Sequence, residues 1–167
     1  MDSAQFQIEI HKKKVYIHTL MTSYAREYAA YHPDAWMIIE KIGNLAKEYG
    51  EKAYLVGGSI RDMMLRRPPG TDIDIMVTGS GLSFARKMAA DLNIHPVVEY
   101  ERFGTAMIPV PPFSLEIASA RKEIYHHDSR KPEVVFTNVD EDLRRRDFTI
   151  NAMAMAIHSG ERGTLLD

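Results

Sequence analysis

The chain has 167 residues, 45 % apolar and 26 % charged, with a formal net charge of −2. That length suits one domain, or one domain with an extension, and the composition excludes global disorder. No cysteine is present, so disulfides, thiolate zinc sites and a cysteine nucleophile are excluded, and the near-neutral charge argues against gripping nucleic acid by bulk charge alone.

The first segment, "MDSAQFQIEIHKKK", lacks the order of charges and apolar core that marks a signal peptide. No apolar run approaches the ~18 residues of a membrane span, and a cytoplasmic protein is expected. "FQIEIHKKKVYIH" alternates as a strand or hairpin does, and "TSYAREYAAY" suits a helix. Residues 1–32 are expected to form an N-terminal extension to a domain covering 33–167. "PDAWMIIEKIGNLAKEYG" starts at Pro33 and ends at Gly50, with Trp36, Ile39, Ile42, Leu45 or Ala46, and Tyr49 at helical spacing. This predicts an amphipathic helix. "AYLV", 53–56, reads as a short buried strand running into Gly57 and Gly58, then a helical "SIRDMMLRR". After the turn Pro68-Pro69-Gly70 comes the strand "TDIDIMV". Ser80 is placed to cap a helix over "LSFARKMAADL".

"AMIPV" and "SLEIAS" are strand candidates joined by "PPF". "ARKEIYHHDSRKPEVVFTN" reads as a polar loop with an extended piece at Val134–Phe136. "DEDLRRR" reads as a helix capped by Asp140, and "INAMAMAI" fits a helix or a buried strand equally well. The order predicts an α/β or α+β fold.

Asp72 and Asp74 share one strand face while Ile73, Ile75 and Val77 share the other. The two Cβ atoms then lie roughly 7 Å apart, a spacing from which carboxylates can converge on a pair of divalent cations. Oxygen-only ligands favour Mg²⁺ or Mn²⁺ over zinc. Two solvated acids on an exposed strand explain the same spacing. "YLVGGSIRD" is a strand, a double glycine and a helix start, where backbone N–H groups favour anions and Arg61 can reach a phosphate. A plain tight turn is the competing explanation. Glu116 can approach the aspartates if its strand lies beside theirs. In "DLRRRDFTINAMAMA", Arg146 suits a triphosphate and Asp147 a ribose hydroxyl, or else both belong to a salt-bridged helix end.

Taken together, "YLVGGSIRDMMLRRPPGTDIDIMV", "ERFGTAMIPV", "LEIASARKEIYHHDSRKP" and "DLRRRDFTINAMA" resemble, in order, the class II tRNA nucleotidyltransferase (CCA-adding enzyme) and bacterial poly(A) polymerase family. The resemblance covers residues 53–157 and extends to the final "LLD". It implies a nucleotidyltransferase (polymerase-beta-like) fold, a mixed, largely antiparallel sheet flanked by helices. It makes Asp72 and Asp74 the ligands of two Mg²⁺ ions, with Mn²⁺ as the alternative; Glu116 joins the candidate catalytic set from its strand position alone, with an ordinary solvent-facing acid on an amphipathic strand as the competing explanation. Gly57, Gly58, Ser59 and Arg61 match the triphosphate motif, and Arg146 and Asp147 the nucleotide motif. Residues 120–135 match the family's mobile loop, and Asn151 a position supporting the site. The implied reaction is template-independent addition of C and A to tRNA 3′ ends from CTP and ATP. The alternatives are a poly(A) polymerase head, a CC- or A-adding head, an antibiotic-modifying nucleotidyltransferase of the same fold, or a nucleotide-binding module without turnover. Two departures stand out. Arg66 replaces the Gly that the family often has. The chain also stops at Asp167, so 33–167 is expected to be a head domain cut before neck, body and tail regions that carry base reading and most tRNA contacts.

Overall fold

From Pro33 on, stretches of period two and period 3.6 become strands and helices packed on their neighbours. A computed structural model describes residues 26, 29, 30 and 32–167, apart from 69, 125–132 and 159. The strand or hairpin expected from "FQIEIHKKKVYIH" lies outside the described residues. Of the "TSYAREYAAY" segment, Arg26, Ala29 and Ala30 are helical.

Helix α1 (Pro33–Glu48) buries Ala35, Ile39, Ile42, Gly43 and Ala46, with Trp36, Leu45 and Tyr49 flanking the stripe. Its approach to the sheet is close. A Cβ on Gly43 would sit 2.0 Å from the Ile157 carbonyl oxygen, so only glycine fits there. Strand β1 (Ala53–Val56) leads into helix α2 (Gly58–Met64). That helix ends in a Schellman closure: Arg66 N–H donates to Met63 O at 3.1 Å and Arg67 N–H to Asp62 O at 2.9 Å. Arg66 sits at φ 53°, in the left-handed region where glycine would be easiest. Arg66 thus takes a left-handed closing position although it is not glycine.

Strand β2 (Asp72–Val77) is followed by α3 (Gly81–Leu92), whose cap Ser80 accepts from Ser83 N–H at 3.2 Å. Strand β3 (Val98–Tyr100) is too short to stand out by pattern. Strands β4 (Thr105–Val110) and β5 (Phe113–Ser119) form the hairpin around the proline turn. The polar segment expected as a loop with one extended piece instead pairs its described ends. Strands β6 (Arg121–Ile124) and β7 (Glu133–Phe136) make an antiparallel ribbon. Helix α4 (Val139–Arg144) is capped by Asn138, whose side chain accepts from Glu141 N–H at 2.9 Å. Asp140, expected as the cap, lies inside the first turn. The cap must precede the helix so that its oxygen reaches back to the third residue's N–H, and the helix begins at Val139. "INAMAMAI" resolves into a 3-10 turn (Thr149–Asn151) and the buried strand β8 (Ala154–Ala156), before a short β9 (Leu165–Leu166).

The main sheet runs β3-β4-β5-β2-β1-β8-β9, and every pairing except β2 with β5 is antiparallel. The expected mixed, largely antiparallel sheet flanked by helices is what forms. One face carries Leu55, Ile73, Ile75, Val77, Leu115 and Ile117 against α1, α2 and α3. The other carries Tyr54, Val56, Met76, Ala154 and Ala156 against Val139 and Leu143 of α4. So the face shared by Asp72, Asp74 and Met76 is not open throughout. Helix α4 covers its Met76 end and leaves the aspartate end uncovered.

Candidate active site

A parallel pair in an antiparallel sheet needs a crossover, which α3 with the β3–β4 ribbon supplies. Its result is a register in which Asp74 pairs with Glu116 and Asp72 with Ser114. Directly paired residues point to the same face, so Asp74 and Glu116 stand side by side. Asp72, two residues along, lies on the same face, exposed at the strand's start. Burial raises the pKa of the Asp74 carboxyl first. The charges of Glu116 and then Asp72 raise it further, and Arg146 opposes them. Three acids crowd one face, and Arg146 is the cation that offsets Asp74.

A cleft of about 460 Å³ opens above this face. Asp74, Glu116, Arg121, Arg145, Arg146 and Asp147 line it, with Phe148 and Asn151 at the same wall. Asp72, Gly57, Gly58, Ser59 and Arg61 are not among its lining residues. Gly57 nevertheless borders it. At φ 69° and ψ −136° it takes a backbone that L side chains avoid, and a Cβ there would lie 3.5 Å from Asp74 Oδ2 and 3.7 Å from Arg146 Nη1. The glycine turn thus brings backbone up to both an acid and an arginine. Gly58 lies under the Arg61 guanidinium, 3.4 Å from Nη2 to an ideal Cβ. Ser59 is buried, and its hydroxyl donates to the Asp72 carbonyl oxygen at 3.4 Å. That bond ties the start of α2 to the start of β2.

Arg61 is held on two sides. Its Nε and Nη2 donate to Asp62 at 3.0 and 3.1 Å, and its Nη1 donates to Asn151 Oδ1 at 3.0 Å. Asn151 thereby fixes the direction of Arg61, in keeping with a supporting role. Arg146 donates from Nε and Nη2 to Asp142 Oδ2 at 3.2 and 3.1 Å. Asp142 and the cleft cation Arg145 were missed from the sequence. The spacing of Asp142 to Arg145 and Arg146, three and four residues on within a helix, was the signal available. Among the described residues no group of three or more His, Asp or Glu side chains forms a ready-made metal cage, and no helix is long and apolar enough to cross a membrane.

Residues 53–167 match the model of the poly A polymerase head domain. The chain belongs to this family. An A-adding tRNA nucleotidyltransferase of Aquifex aeolicus is 41 % identical over 118 residues, 70 % of this chain and 14 % of that protein. A solved CCA-adding enzyme with CTP superposes with a TM-score of 0.72 at 30 % identity, over 88 % of this chain and 32 % of that one. A tRNA nucleotidyltransferase solved with a primer tRNA and an incoming ATP analogue gives 0.62 at 36 % identity, over 75 % and 34 %. The nucleotidyltransferase fold expected from the resemblance is therefore present. The head-domain chain spans 14 to 34 % of the length of these relatives.

Proposed function

We propose that this head domain carries the nucleotidyl-transfer site of a tRNA nucleotidyltransferase that adds C and A to tRNA 3′ ends from CTP and ATP. The carrying observation is the in-register pair Asp74–Glu116 on the floor of a cleft whose opposite wall presents Arg146 beside the Gly57 turn.

The residues fit divalent cations. The donors are all carboxylate oxygens; burial first, and then the charges of Glu116 and Asp72, raise the Asp74 pKa, and a cation would relieve that penalty on the charged form. Mg²⁺ binds through one or two carboxylates plus substrate phosphates more often than in an all-protein cage. Asp72 and Asp74 would hold it, with Glu116 beside Asp74. Bound there, two such ions supply acidification of the attacking hydroxyl and neutralisation of leaving charge.

The chain's own groups do the rest. Gly57 and Gly58 let the backbone N–H groups of the turn approach a triphosphate, with Ser59 holding the start of α2 against β2. Arg146 and Arg61 neutralise the triphosphate's charge. Asp147, exposed at the cleft wall, accepts from a ribose hydroxyl. The primer's 3′ oxygen forms a bond to the α-phosphorus, the bond to the β-phosphate oxygen breaks, and pyrophosphate leaves. The near-neutral charge suits a head whose tRNA grip resides mainly in other parts of a longer protein, and a cytoplasmic location is part of this reading.

The Aquifex relative's name favours one second reading, addition of A alone. Sequencing the 3′ ends made by the full-length protein on tRNA lacking CCA, on tRNA ending in CC and on an unrelated RNA separates the readings. CCA on the first substrate supports the proposal, A only on the second supports the alternative, and an A tail on all three indicates a poly(A) polymerase. No extension of any substrate would overturn all of them.

A further inference from the structure

Asp142 lies at the cleft wall but has no part in the chemistry proposed above, and both of its carboxylate oxygens are engaged. The residue is 0 % exposed. Its Oδ1 accepts from Arg121 N–H at 3.1 Å and from Arg145 Nε and Nη2 at 3.0 and 2.7 Å. Its Oδ2 accepts from Arg146 Nε and Nη2. A buried carboxylate is costly unless paired and hydrogen-bonded, and this one sits among donors on both oxygens.

The geometry of the two arginines is the informative part. A guanidinium presents its donors in a rigid fork. Asp142 occupies the Nε–Nη2 edge of Arg146, which leaves Nη1 as the free corner. Nη1 is the atom that lies beside Gly57, across from the Asp74 carboxylate. Arg145 is held the same way, its Nε shared with the Arg121 carbonyl oxygen at 2.9 Å. Helical spacing puts one buried acid under two consecutive arginines, so both guanidinium groups lie at the cleft wall.

We infer that Asp142 is a positioning residue. It sets the orientation of Arg146, and with it Arg145, so that their outer nitrogens meet the phosphates of a nucleoside triphosphate at the glycine turn. Asp142 itself touches no substrate. The inference rests on the reading of the cleft as a nucleotide site.

The test compares calorimetric affinity for a non-hydrolysable CTP analogue with that for cytidine, both with Mg²⁺, in wild type and Asp142→Asn. Losing one charge-assisted contact's orientation predicts about a 10- to 100-fold weaker triphosphate affinity, with cytidine affinity unchanged within about twofold. A purely architectural role would lower both together, and that result overturns the inference, as does an unchanged triphosphate affinity. If wild type itself does not prefer triphosphate to cytidine, the nucleotide reading fails and the inference with it. Should Asp142→Asn not fold, the wild-type protein decides by NMR. Slow solvent exchange of the Arg146 Nε–H, with the analogue perturbing Nη rather than Nε, is the expected result. An Arg146 Nε–H exchanging like a free side chain overturns the inference.

Discussion

Glu116 and Asp74 stand together because two backbones pair in register, whereas Arg146 faces them because a buried side chain holds it. The acidic wall of the cleft is set by sheet hydrogen bonds and by the core beneath, where Ile73, Ile75, Leu115 and Ile117 are almost wholly buried. The basic wall is set by α4, a six-residue helix resting on Val139 and Leu143 and on the Asp142 network. The two walls should therefore fail differently. Damage to the sheet unfolds the domain, and damage to α4 disorients cations on an intact sheet.

The largest expected effect breaks the acidic wall's chemistry without breaking its structure. Asp74→Ala removes a charge held near two others, and transfer should fall by on the order of a thousandfold, equivalent to several kcal/mol of lost charge stabilisation. Single-turnover incorporation on tRNA lacking CCA measures it, with circular dichroism confirming the fold. Retained activity would place the chemistry elsewhere.

Next comes the support under that wall. Ile117 is 0 % exposed beneath Glu116, and Ile117→Ala should cost about 2–5 kcal/mol in chemical denaturation. Leu143→Ala, at 7 % exposure on a helix lying over one end of the sheet, should fall at or below the low end of that range. Equal losses would contradict the division between a sheet-built and a helix-built wall.

Electrostatics gives a contrast of opposite sign. The Asp74 pKa is raised, so the folded chain holds that proton more tightly than the unfolded chain does. Stability therefore declines as pH rises from the ordinary carboxylate range through the raised value. Asp74→Asn should accordingly melt higher than wild type at neutral pH without divalent ions, by roughly a few degrees, and the gap should close in acid. Added Mg²⁺ should raise the wild-type melting temperature and leave the variant unmoved. A variant that melts lower at neutral pH would contradict the crowding of acids.

Three smaller effects probe the helices beside the cleft. Asn138→Ala removes the α4 cap and should cost about 1 kcal/mol, while Asp140→Ala, inside the first turn, should cost less, about 0.3–1 kcal/mol through the helix dipole. Arg66→Gly relaxes the left-handed residue that closes α2 and should stabilise by about 0.5–1 kcal/mol. Thermal melts in parallel rank all three.

The same division explains what could be read from the sequence. Period two gave the strand around Asp72 and Asp74 to within a residue, and with it the identity of the core face. The Ser80 cap and the α1 stripe were equally plain, because each is a local rule acting on adjacent residues. The pairing of β2 with β5, by contrast, is a contact across some forty residues of sequence that no local pattern fixes, and Glu116 could only be offered conditionally. Asp142 was hidden by its company. In "DEDLRRR" an acid beside two others reads as helix-end charge, and nothing local shows that this one is buried. Strand β7 was legible as the extended piece at Val134–Phe136, but its partner β6 escaped because "RKEI" is mostly polar, and β3 because three residues carry no periodicity.

The central claim is that both walls grip a single metal–triphosphate group. Calorimetric titration of a non-hydrolysable CTP analogue, with and without Mg²⁺, into wild type, Asp74→Ala and Arg146→Met tests it most directly. The account predicts binding to wild type that requires Mg²⁺, lost in the first variant and weakened at least about tenfold in the second. Binding that is indifferent to Mg²⁺ and equal in all three proteins would contradict it.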